Sequence, residues 1–117
     1  MEERTGIEII VAERQRQTDV EGWTTAHDDA HVDGELAAAS ACYAMPEYSR
    51  AVRAAGTGGS IGSVLGALWP WQWKWWKPGS ANTEHDRVDG RIRDLAKAGA
   101  LAAAEIDRLL RLQRRGC

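Results

Sequence analysis

Phenylalanine is absent from the 117 residues, and only two cysteines, two methionines and three prolines are present. Valine, isoleucine and leucine together number 20, against 19 alanines. A chain with so few large aliphatics is hard pressed to fill a core from them alone. Cys42 lies in an alanine-rich segment and Cys117 is the last residue, which excludes a disulfide framework. No run approaches 18 apolar residues, so no membrane span is expected. Met1-Glu2-Glu3-Arg4 lacks the basic and apolar pattern of a targeting signal, so a cytoplasmic protein is expected. A net charge of −2 argues against nucleic-acid binding by bulk charge.

What the chain does have is tryptophan. Six Trp and two Tyr supply large apolar surfaces. The expectation is a single small all-α domain over residues 1–117 that leans on its tryptophans. A homo-oligomer that shares its core solves the same shortage of bulk.

Helical spacing of Ile7, Ile10, Val11 and Arg14 places a first helix over about Thr5 to Asp19, with Thr5 and Glu8 as a capping box. Its polar second half, Glu13 to Gln17, implies that only the first half is deeply buried. An acidic loop with two histidines follows from Glu21 to Gly34, in which Asp28 is a candidate cap. A second helix is expected over about Asp29 to Ala44, with Leu36, Ala39, Cys42 and Tyr43 on one face, and Pro46 ends it. Glu47 to Ala55 reads as a short helix. Residues 56–66 carry five glycines and read as a mobile loop. No Lys-Ser/Thr follows them and Ile61 stands where GxGxxG needs its third glycine, so neither standard phosphate loop is matched.

The segment 67–79 contains Trp69-Pro70-Trp71-Gln72-Trp73-Lys74-Trp75-Trp76-Lys77-Pro78. Its two prolines oppose a helix, and in an extended chain Trp69, Trp71, Trp73 and Trp75 share one side. It reads as an extended strap over alanine-rich helices, or as a platform for stacking a base or a partner chain. The last helix, about Glu84 to Arg114, has the clearest period. Val88, Ile92, Leu95, Gly99, Ala102, Ile106 and Leu109 alternate steps of four and three. This stripe is expected to be the most buried surface, with Gly99 admitting a close neighbour. The arginines at 108, 111, 114 and 115 favour the helix C-terminus electrostatically.

His27, Asp28, Asp29, His31, Asp33 and Glu35 form the densest chemical cluster. On one helix, His27 and His31 would lie a turn apart, but zinc needs further strong ligands. Asp28, Asp29, Glu35 and Glu105 are the candidate Mg²⁺ ligands. Alternatively, the cluster is a capping loop whose carboxylates pair with Arg14 and Arg16.

Ala12-Glu13-Arg14-Gln15-Arg16-Gln17, Glu21-Gly22-Trp23-Thr24, His27-Asp28-Asp29 with His31, Gly34-Glu35-Leu36-Ala37, Cys42-Tyr43-Ala44, Trp69-Pro70-Trp71, Trp75-Trp76-Lys77-Pro78, Lys97-Ala98-Gly99-Ala100-Leu101 and Ala104-Glu105-Ile106-Asp107-Arg108-Leu109 together resemble a family of small bacteriophage and prophage proteins. The likeness covers most of the chain except residues 56–66. It implies a phage setting and supplies no activity. The helix order is also similar to the MazG-like all-α nucleoside triphosphate pyrophosphohydrolases. That family carries ExxE and ExxD carboxylate sets, whereas Glu35 is followed by Leu36-Ala37-Ala38-Ala39, and Arg108 stands where the late acid belongs.

Three functions follow. The first is a non-enzymatic, phage-side counter-defence protein that binds a nucleotide-type signal or a host defence protein. Its binding residues would be Arg14, Arg16, Trp23, Trp71, Trp73 and Arg91. The second is a Mg²⁺-dependent pyrophosphohydrolase, and the third a structural phage accessory protein.

Overall fold

The structure is a computed structural model that describes residues 4–50, 52–55, 61–79 and 84–116. The helices are α1 (Gly6–Asp19), α2 (Thr25–Asp29), α3 (Glu35–Ala44), α4 (Glu47–Arg50), α5 (Val64–Leu68) and α6 (Glu84–Arg114). Two three-residue strands, β1 (Arg53–Ala55) and β2 (Ile61–Ser63), pair antiparallel with Ala54 opposite Gly62. The fold is otherwise all-α. Among the described residues, no helix is long and apolar enough to cross a membrane. The glycine-rich loop expected at 56–66 is outside the described residues up to 60. Its remainder is β2 and the start of α5, where the Ser63 hydroxyl accepts from the Gly66 N–H at 2.9 Å. Cys117 and Ala51 also lie outside the described residues.

Local chemistry sets the ends of the first helices. Thr5 and Glu8 form the expected capping box on α1. The expected helix over 29–44 is two helices instead. The Thr24 hydroxyl caps α2 through the His27 N–H, and Gly34, at φ +82°, turns the chain in the left-handed region before α3. Asp28 caps nothing and is fully buried. Of the expected fourth helix, Glu47–Arg50 is helical, whereas Arg53–Ala55 belongs to the hairpin.

α6 is the central element, with α3 and α1 packed against it. The core joins Leu36, Ala39, Cys42 and Tyr43 of α3 to Ala98, Leu101 and Ala104 of α6, beneath Trp69. The Ser40 hydroxyl donates to the Ala98 carbonyl at 2.7 Å, a measure of how close the alanines let the helices come. Across α6, a Cβ added to Gly99 would fall 2.6 Å from the Ile10 side chain, so the glycine does admit a close neighbour. The expected burial of the stripe is overturned. Val88, Ile92, Leu95, Ile106 and Leu109 are exposed, and Gly90, Asp94, Ala98, Leu101, Ala104 and Arg108 lie inward. The small residues lie where neighbouring helices must fit, and the large ones lie outside that contact. α1 is reversed in the same way: Ile7 and Val11 are exposed, and its one buried residue is Gln17.

The tryptophan segment is not an extended strap. Trp73–Trp75 form a 3₁₀ turn, which breaks the alternation of the rings. With no strand partner to hold it straight, the segment curls so that the Trp69 indole N–H reaches the Gln72 carbonyl at 3.2 Å. Tyr43 and Asp94 anchor its far end. The Lys77 N–H donates to the Tyr43 hydroxyl at 3.1 Å, and the Gly79 N–H donates to Asp94 at 2.9 Å. Gly79 meets Gly90 so closely that a Cβ at 79 would lie 2.5 Å from the Gly90 Cα.

Two substitutions test this packing by urea denaturation. Leu101→Ala should cost about 2–5 kcal/mol, because the side chain is fully enclosed. Thr5→Ala should cost about 0.5–2 kcal/mol through loss of the cap. An unchanged midpoint for Leu101→Ala would contradict the described core.

Candidate functional site

A turn at Gly22 carries the chain from α1 into α2, and the Trp23 N–H bonds back to the Gln17 carbonyl at 3.0 Å. α2 is then fixed by charge on two sides. The buried Asp28 accepts from Arg14 of α1 at 3.0 Å, and its other oxygen lies 3.1 Å from His27 Nδ1. Asp29 accepts from Arg111 of α6 at 2.8 and 3.1 Å and from Arg115 at 3.3 Å. The Arg111 hydrogen bond, set against a smaller effect of burial, lowers the Asp29 pKa. At the next turn, His31 Nδ1 lies 3.1 Å from Glu35. Burial raises the Glu35 pKa, but the bonds from His31 and from the Asp33 and Glu35 backbone N–H groups leave it lowered overall.

These bonds aim both imidazoles at the indoles. Trp23 stacks on His27 with centroids 5.4 Å apart, and His31 lies 5.3 Å from Trp71. Trp71 meets Trp69 edge to face at 5.6 Å, and Trp69 meets Tyr43 at 5.8 Å. The rings wall a cavity of about 400 Å³, whose polar lining comes from Glu13, Arg16, Gln17, Glu21, Lys77 and Lys97. That volume falls within the range of small-molecule sites.

The electrostatics of the lining are uneven. Arg16 donates to Glu13 at 2.8 Å through two nitrogens and to Glu21 at 2.9 Å, so its guanidinium is committed. Its bond to Glu13 raises its pKa. Lys97 lies over the Tyr43 ring at 5.3 Å and donates to the Lys77 carbonyl. Burial lowers its pKa. Two buried polar atoms of the lining residues have no protein partner: the Gln17 amide oxygen and the Trp71 indole N–H.

Of the residues expected to bind a ligand, Arg16, Trp23 and Trp71 line this cavity. Arg14 is bound to Asp28. Arg91 donates to the carbonyls of Tyr43, Ala44 and Met45, where it caps the C-terminus of α3. Trp73 stacks on Trp69 away from the lining. The candidate metal ligands stand apart: Asp28 is held by Arg14, Asp29 by Arg111 and Arg115, Glu35 by His31, and Glu105 by Arg108 at 2.6 Å. Among the described residues, no group of three or more His, Cys, Asp or Glu is placed to hold a metal ion. Gln17 and Lys97 were not legible as site residues. The polarity of Gln17 marked it as surface, and Lys97 lies on the side of α6 opposite the stripe. No protein-family model, curated protein or solved structure matches the chain.

The Asp29 staple has a pH signature. Its folded pKa is depressed, so its contribution is present above its ordinary value of 3.8 and is lost as pH falls through the folded value. Melting curves between pH 2 and 7 should therefore show a shallower acid limb for Asp29→Asn than for the native chain. Parallel curves would contradict the pairing with Arg111.

Proposed function

We propose that the cavity binds a nucleotide-type small molecule and that the protein is a non-enzymatic, phage-side binding protein. In this reading it removes a signal from the cytoplasm of the bacterial host as a counter-defence. The observation that carries the reading is the pair of unpartnered buried atoms, the Trp71 indole N–H and the Gln17 amide oxygen. An unmet buried donor or acceptor costs about 1–3 kcal/mol, which a ligand offering the complementary atom recovers. A nucleobase edge offers both, and its flat ring suits walls of Trp23, His27, His31 and Trp71.

The anionic end of such a ligand belongs near Lys77 and Lys97, since Arg16 is already neutralised by Glu13 and Glu21. The phage setting comes from the sequence likeness, and counter-defence follows from that setting. The pairing of Asp28, Asp29 and Glu105 with arginines favours binding over Mg²⁺-dependent pyrophosphohydrolysis, since such a carboxylate must first be freed before it ligates a metal.

Titration calorimetry with mono-, di- and cyclic nucleotides tests this. Binding is expected with and without Mg²⁺. Trp71→Phe keeps a ring but removes the N–H, and Gln17→Leu removes the acceptor. Each should weaken binding about tenfold. Affinity should also fall as pH rises toward 10.5, earlier than for an exposed lysine, because Lys97 loses its proton early. No heat from any nucleotide would contradict the reading, and Mg²⁺-dependent turnover would replace it with the hydrolase.

A further inference from the structure

We propose that the base taken by this cavity is guanine. The inference rests on the nucleotide reading above and assigns the base edge that the lining recognises. Gln17 and Trp71 each bring one unmet atom, the amide oxygen as acceptor and the indole N–H as donor. Gln17 is 1% exposed, so bulk water does not reach its oxygen. A neighbour fixes the orientation of the amide. Gln17 Nε2 donates to Glu13 Oε2 at 3.4 Å, and an oxygen turned that way would face a carboxylate.

Glu13 has room for one more donor. A carboxylate offers about four lone-pair sites. Arg16 Nε takes one on Oε1 at 2.8 Å, and Arg16 Nη2 and Gln17 Nε2 both bond to Oε2. The second lone pair of Oε1 is left over, on a side chain that lines the cavity and is 13% exposed. The two-nitrogen grip of Arg16 holds this acceptor in place before a ligand arrives.

The order of these groups singles out one base. Glu13 and Gln17 are one turn apart on α1, so their acceptors lie side by side. The Gln17 carbonyl receives the Trp23 N–H at 3.0 Å, and the Trp23 ring meets Trp71 at 6.4 Å. Gln17 thus stands between Glu13 and Trp71 in this chain of contacts, and the lining reads acceptor, acceptor, donor. Guanine presents the complement along a single edge: the 2-amino group, the N1–H and the O6 carbonyl. Uracil sets one donor between two acceptors. Adenine and cytosine carry their edge hydrogens on one amino group, where they point apart and do not reach two neighbouring acceptors. The 2-amino group of guanine falls to Glu13, the N1–H to Gln17 and the O6 to Trp71.

Titration calorimetry of the full chain with guanosine, inosine and adenosine monophosphates tests the assignment. Inosine monophosphate lacks only the 2-amino group and should bind about tenfold more weakly than guanosine monophosphate. Adenosine monophosphate should bind about a hundredfold more weakly, since it also lacks the N1–H and the O6. In Glu13→Ala, with helical circular dichroism checked, the guanosine-to-inosine affinity ratio should fall to about one. A purely structural role for Glu13 would instead lower both affinities together and leave the ratio unchanged, which would overturn the assignment. Equal affinity of the native chain for guanosine and inosine monophosphates, or for guanosine and adenosine monophosphates, would overturn it while leaving the nucleotide reading in place. Failure of all three to bind would overturn both. The comparison on the native chain decides the matter even if Glu13→Ala does not fold.

Discussion

The close approach of α3 and α1 to α6, over alanine and glycine, is the constraint on which the other features rest. Ala98, Ala104 and Gly99 leave little space for side chains between the helices. Such contacts bury modest area per residue, so the bulk of the core comes from elsewhere. Tyr43, Trp69 and the half-buried Trp23, Trp71 and Trp76 supply it from one side of the helical layer. The same economy leaves the long aliphatics of α6 and α1 facing outward. Tight helices, an aromatic wall and a bare apolar face are three consequences of one composition.

Charge supplies the specificity that so small a core lacks. Asp28 and Asp94 are buried, and each ties distant segments together. Asp28 holds α2 to Arg14, while Asp94 receives Arg50 at 3.0 Å and the Gly79 N–H. Arg50 also lies over the Trp76 ring at 5.0 Å, so one guanidinium links α4, α6 and the tryptophan segment. Leaving such an acid without its partner costs about 3–5 kcal/mol, which makes these residues organisers of the fold. The carboxylates that drew attention as metal ligands thus have a structural use. Two of them, Asp28 and Glu35, also hold His27 and His31 beside the indoles.

The long helix was legible in the sequence to its ends, because its period runs over residues 88–109, about six turns, without proline. The capping box on α1 was equally plain, since Thr5 and Glu8 report a local bond. Which face of α6 lay inward was not legible. Hydrophobic period marks an apolar stripe, and it does not distinguish a buried face from an exposed one. Gln17 and Lys97 were hidden for a related reason. Each is polar in an amphipathic helix, and only the tertiary placement of Trp71 and Tyr43 encloses them. The curl of the tryptophan segment depended on tertiary bonds from Tyr43 and Asp94, which local spacing does not encode.

The central claim is that the Trp71 indole N–H and the Gln17 amide wait for a ligand. The most direct measurement is the indole N–H region of the NMR spectrum of the ¹⁵N-labelled protein, titrated with a purine mononucleotide. The Trp71 signal, assigned through Trp71→Phe, should move strongly. The Trp69 signal, whose N–H is already bonded to the Gln72 carbonyl, should move much less. An unshifted Trp71 signal at millimolar nucleotide would contradict the claim.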